Sequence, residues 1–230
     1  GILLDMYSGK TIADLSMEAS ALADFKFIDN NTLIYAAEKG ISAYNIQSQT
    51  ILWEGEPTTG ISISGDGKVI AGVYKDEGQA YIYDIEGNTK GVVSFGDKIQ
   101  RVLPNDGFAD PNNSLFALNQ DGSQLAVSFS DGSLIIFDTQ NPVNSAALME
   151  DSDAVHFEGG YHGKYLAFSA TEDSNKNSVF AIVNTEEMSQ TGGFQQEGHF
   201  SVKVDDGGIY ISKDTIIVQI DPETGKQQEI

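Results

Sequence analysis

The 230-residue chain has no cysteine. That removes disulfides, thiolate nucleophiles and cysteine-ligated metals together. Basic charge is scarce too: 13 Lys and Arg stand against 34 Asp and Glu, the net charge is −21, and Arg101 is the sole arginine. Binding to a phosphate backbone or an anionic lipid surface depends on Lys and Arg displacing counterions, so this balance argues against nucleic-acid and membrane-surface partners. No apolar run approaches the ~20 residues that span a bilayer. The opening GILLDMYSGK carries an acidic residue at position 5 where a secretory signal would be basic.

Several chemical signatures are missing as well. There is no Gly-x-Ser-x-Gly nucleophile elbow and no phosphate-cradling glycine motif. The dipeptides Asp66-Gly67, Asp121-Gly122 and Asp131-Gly132 do not continue into the spaced carboxylates of a calcium loop, and are read as hairpin turns. No cofactor is expected.

What is present is a repeat. Residues are 40% hydrophobic with 24 glycines, ample for one folded domain. An apolar or aromatic strand followed by Asp or Asn, a polar turn and a second strand recurs six times, anchored at Asp5, Asn45, Asp84, Asp138, Asn184 and Asp221. The intervals are 40, 39, 54, 46 and 37 residues. Spacing of ~40–50 residues suits a four-stranded propeller blade and is too long for leucine-rich or ankyrin repeats. Upstream of five anchors lies a further hairpin, clearest in GISISGDGKVIAGVYKDEG (60–78) and LFALNQDGSQLAVSFSDG (115–132), so each full unit reads as four strands. Ser16–Phe25 has a helical composition but at ten residues is read as a connection.

The repeats resemble the blades of WD-repeat and related bacterial propellers over nearly the whole chain. The third strand of such blades ends in a bulky residue and Asp, matched by Phe137-Asp138 and Tyr83-Asp84 and loosely by Tyr44-Asn45; their Gly-His pair occurs once, at Gly198-His199. IDPETGKQQEI (220–230) and LDMYSGKTIADL (4–15) are also similar to quinoprotein-like repeats, although the single tryptophan, Trp53, does not supply the several that lock those enzymes' blades. The resemblance implies an all-β propeller. Its expected divisions are an outer half-blade at 1–18, complete blades at 19–56, 57–95, 114–150, 151–196 and 197–230, and an inserted loop at 96–113. An unmatched half-blade leaves open strand edges, so the expectation is a seven- or eight-bladed parent, part of a larger exported bacterial protein at the cell surface.

The functional expectation is non-enzymatic recognition of a protein, peptide or glycan. Tyr7, Tyr44, Phe95, Arg101, Phe108 and Tyr161 fall in or near loops and are the aromatic and arginine anchors such an interface uses. The competing reading is a propeller hydrolase or lyase with carboxylates lining its central channel. Three histidines occur, of which His156 and His162 with Glu158 form a weak candidate metal set, while His199 in the Gly-His pair is read as a turn-holding residue. No catalytic residue is assigned.

Overall fold

A computed structural model describes residues 2–4, 7–14, 22–37, 40–58, 60–74, 78–96, 115–129, 131–150, 152–172, 177–198, 200–205, 207–213 and 216–230. Among them are 22 β-strands and no α-helix. β1 (Ile2–Leu4) and β2 (Thr11–Asp14) form a two-stranded sheet. The first four-stranded sheet is β3 (Leu22–Phe27), β4 (Thr32–Ala37), β5 (Gly40–Asn45) and β6 (Thr50–Glu54). The second is β7 (Gly60–Ile63), β8 (Val69–Tyr74), β9 (Gln79–Asp84) and β10 (Thr89–Ser94), and the third β11 (Phe116–Leu118), β12 (Gln124–Ser128), β13 (Leu134–Asp138) and β14 (Ser145–Met149). The fourth is β15 (Ala154–His162), β16 (Tyr165–Glu172), β17 (Asn177–Asn184) and β18 (Ser189–Glu197). The fifth is β19 (Ser201–Asp205), β20 (Gly208–Lys213), β21 (Ile216–Ile220) and β22 (Gln227–Glu229). Each sheet is an antiparallel meander in chain order. Leu22–Phe25, read as part of a connection, belongs to β3, because Asp24, Phe25 and Lys26 pair with β4 and tertiary pairing overrides a weak helical composition.

The sheets stack face to face, and their first strands touch in succession: β3 with β7, β7 with β11, β11 with β15 and β15 with β19. These first strands therefore run along the inner side of the assembly. Alternation along the middle strands sends side chains into both neighbouring interfaces. In the third sheet, Leu125 and Val127 join Ile82, Val93 and Phe95 of the second, while Ala126 and Ile136 join Phe157, Leu166 and Phe168 of the fourth. Phe180, Ile182 and Tyr165 of the fourth meet Phe200, Val202 and Ile211 of the fifth. Each such fully buried side chain is worth roughly 1.5–3 kcal/mol relative to exposure. The interfaces between sheets are thus the core.

The fifth sheet is different. On its other face the cross-strand rows are Lys203, Tyr210, Gln219 and Gln228, and Ser201, Ser212 and Ile217, largely polar. One face is packed and the other hydrated.

First strands are edges, and an edge exposes backbone N–H groups that need acceptors. At three junctions the preceding sheet supplies one from a side chain. The Ile61 N–H donates to Asp24 Oδ2 at 3.0 Å, the Leu118 N–H to Ser62 Oγ at 2.9 Å, and the Val202 N–H to Glu158 Oε2 at 3.0 Å. All three donors belong to buried residues. Polar positions in the alternating first strands are therefore fasteners between sheets.

The hairpins between first and second strands carry the Asp66-Gly67 and Asp121-Gly122 signals, while Asp131-Gly132 lies between the second and third strands of the third sheet. Gly67 and Gly122 adopt φ of +72° and +74°, where glycine avoids the Cβ penalty of other residues. At Gly122 a Cβ would lie 2.4 Å from the Val69 side chain of the second sheet, whereas at Gly163 (φ +59°), in the equivalent turn of the fourth sheet, it would meet nothing. Gly163→Ala should cost about 1–2 kcal/mol from backbone conformation alone. Gly122→Ala should cost visibly more, because Val69 must also yield; urea denaturation of the two variants measures the difference, and equal midpoints would contradict this packing.

Candidate functional site

Five of the six repeat anchors occupy the turn between third and fourth strands. Asp5 lies outside the described residues. In the other five the anchor oxygen accepts backbone N–H groups just beyond it: Asn45 from Ser48 (2.8 Å), Asp84 from Asn88 (2.8 Å), Asp138 from Gln140 and Asn141 (2.8 and 3.0 Å), Asn184 from Glu186 (3.2 Å), and Asp221 from Glu223 and Thr224 (2.9 and 2.8 Å). At Asp138, Asn184 and Asp221 these are Asx turns, in which a short polar side chain mimics a backbone turn; Asn45 and Asp84 cap the turn one or two residues further on. The bulky residue before each anchor, Tyr44, Tyr83, Phe137, Val183 or Ile220, is buried. The motif is structural.

The same bonding lowers carboxyl pKa values. The Asn31 N–H holds Asp29 below the usual carboxylate range, the Asn88 side-chain amide does so for Asp84, the Ser123 hydroxyl for Asp121, and the Thr224 N–H for Asp221. Much of the acidity therefore serves the hairpins.

Among the described members of the expected anchors, Tyr7 stands in solvent, 94% exposed. Phe95 is buried, edge-on to Phe129 at 5.6 Å and near Phe137, so it is core and not an interface residue. Tyr44 is buried as a pre-anchor residue. Tyr161 packs in the interface between third and fourth sheets; burial drives its phenol pKa far upward, and its hydroxyl has no partner among the described residues. Arg101, Phe108, His199 and residues 97–113 of the expected insertion lie outside the described residues.

His156, Glu158 and His162 share one face of β15 by alternation, but the latter two bind the backbone of β19. Glu158 accepts the Val202 N–H, and His162 Nδ1 donates to the Asp205 carbonyl at 3.0 Å. His156 Nδ1 is buried without a partner among the described residues. Among those residues no group of three His, Cys, Asp or Glu is placed to hold a metal ion.

A groove of about 600 Å³ opens where the third and fourth sheets meet at their turn-bearing ends. Ile136 forms part of its floor, and Gln124, Asp138 and Thr185 part of its walls. Gln124 donates its amide to the Thr185 carbonyl at 3.4 Å, and its own amide oxygen is buried with no partner among the described residues. Two lining residues, Val143 and Met188, are unusually exposed for their type, at 90% and 45%.

Met188 also has φ +51°. Four residues past the anchor, the equivalent positions hold Gly9 (+65°), Gly225 (+66°) and, in the first sheet, Gln49 (+56°). A left-handed methionine carries a conformational cost that this turn imposes, as it does on Gln49.

No family model matches the chain, and no curated protein matches it. Solved structures do. A variant of Hsv2 from Kluyveromyces lactis aligns with TM-score 0.66 and 14% identity over 100% of this chain and 76% of its own. A chain of a mitotic checkpoint complex aligns with TM-score 0.65 and 14% identity over 98% of this chain and 69% of its own. The WD40 domain of Toxoplasma gondii coronin aligns with TM-score 0.60 and 14% identity over 90% of this chain and 57% of its own. The fold is a WD40-like β-propeller. Its blades are the four-stranded sheets, their first strands lining the propeller axis.

The sequence reading missed the groove. Val143 in NPVN and Met188 in EEMS look like incidental apolar residues in polar turns, and nothing in the order of residues says that these turns adjoin.

The lowered aspartates give a pH prediction. A group whose folded pKa lies below its unfolded value of about 3.9 contributes stability that is complete above that value and is lost as pH falls through the folded pKa. Asp29, Asp84, Asp121 and Asp221 all have this sign. The melting temperature should therefore hold steady from about pH 7 to 5 and fall steeply below about pH 4; calorimetry across that range checks it, and a flat profile down to pH 2.5 would contradict it.

Proposed function

We propose that the domain is a non-enzymatic recognition module that binds an extended peptide segment of a protein partner in the groove between its third and fourth blades. The observation that carries this reading is the pairing of exposed Val143 with exposed, left-handed Met188 across a polar groove on a rigid scaffold. Apolar anchors beside a few polar groups are what a peptide-binding cleft offers. The sheets beneath are fixed by buried interfaces, so the groove is formed before any ligand arrives. A structural neighbour drawn from a mitotic checkpoint complex, an assembly of proteins, is in keeping with a protein partner.

The competing reading, an enzyme with carboxylates along the channel, is less well supported. Asp24 and Glu158, carboxylates on first strands, each accept an N–H from the next blade. They are occupied in holding the propeller together.

Selection from a random displayed-peptide library against the purified domain tests the proposal. Selected peptides should bind at roughly 10–100 µM, and the double variant Val143→Asp, Met188→Asp should lose at least about tenfold while melting within a few degrees of wild type, since both positions are exposed. Failure to select any peptide, or equal binding by the double variant, would overturn it.

A further inference from the structure

The groove is not neutral. Asp138 supplies the only formal charge among its lining residues, and Glu186 and Glu187 lie in the same turn as Met188. The nearby cation, Lys164, lies 3.9 Å from Glu186. Asp138 uses Oδ1 to cap its own turn, which leaves Oδ2 for an incoming donor. Gln124 adds a buried amide oxygen that has no donor among the described residues. Beside these acceptors stand the apolar side chains of Val143, Met188 and Ile136.

An arginine side chain matches both halves of that surface. Its methylene stem can lie on apolar groups while its head remains polar, and its planar guanidinium presents five donors in a fixed fork able to serve two acceptors at once. A lysine ammonium, compact and strongly hydrated, matches only the charge. A glutamate-bearing segment would meet Asp138 across the groove and a chain of net charge −21 beyond it. Resting on the peptide-binding reading above, we infer that the groove recognises an arginine of the bound segment, its stem across Val143 and Met188 and its guanidinium directed to Asp138 Oδ2 and the Gln124 amide oxygen. Gln124 would swing its amide outward from the Thr185 carbonyl to complete the second contact.

The probe is the capped pentapeptide Ala-Ala-Arg-Ala-Ala, compared with the same peptide carrying citrulline, which keeps the shape and loses the charge. Binding is followed through the Met188 and Val143 methyl resonances of the intact domain. The arginine peptide should shift both methyls saturably with Kd near 1 mM, and citrulline should bind at least about fivefold more weakly. Asp138→Asn keeps the turn-capping oxygen and removes the charge, and should abolish the preference while leaving the fold intact. Equal affinity for the two peptides would overturn the arginine assignment and leave the groove a binding site. Absence of methyl shifts with either peptide would also overturn it, and the library selection then decides the peptide-binding reading by itself.

Discussion

The propeller depends on what happens to the backbone of its innermost strands. Four antiparallel strands satisfy one another within a blade, yet the first strand has one open edge, and that edge is buried at the junction with the next blade. A buried N–H without an acceptor costs about 1–3 kcal/mol. Asp24, Ser62 and Glu158 answer this by reaching from one first strand to the Ile61, Leu118 and Val202 amides of the next. Each bond fixes the axial offset of two blades as well as closing an edge. Apolar packing between blades is non-directional and could tolerate small slips; these bonds do not.

Blade-to-blade registration has consequences at the outer turns. The turn 138–145 of the third blade and the turn 184–189 of the fourth adjoin over a packed interface of Ala126, Ile136, Leu166 and Val183, across which Gln124 reaches Thr185. The groove is the space left between two turns held at a set distance. Its walls combine structural duty with availability: Asp138 caps its turn with one oxygen and offers the other, while the left-handed turn that Met188 shares with Gln49, Gly9 and Gly225 leaves its side chain exposed. The proposed peptide contact rests on two apolar side chains, Val143 and Met188, that these turns leave exposed.

Much of that frame was legible in the sequence because it is local and periodic. A bulky residue, Asp or Asn, and a polar turn recur as a unit, and every described anchor caps its own turn with a bond that needs only a few neighbouring residues to form. The same locality misled the choice of interface residues. Tyr44 and Phe95 sit near turns in the chain, but the pre-anchor position is buried in every described repeat, and Phe95 completes a cluster with Phe129 and Phe137 from the next blade. Which turns adjoin in space depends on stacking between blades, a long-range property that no single repeat encodes. Thus Val143 and Met188 could be noticed as odd within their turns but not joined.

Native-state hydrogen exchange tests the central claim most directly. If side-chain acceptors close the inner edges, the amides of Ile61, Leu118 and Val202 should exchange as slowly as ladder amides of the middle strands, through large-scale opening only. Exchange of these three amides at the fast rates of open edge-strand positions, with the middle strands still protected, would contradict the account.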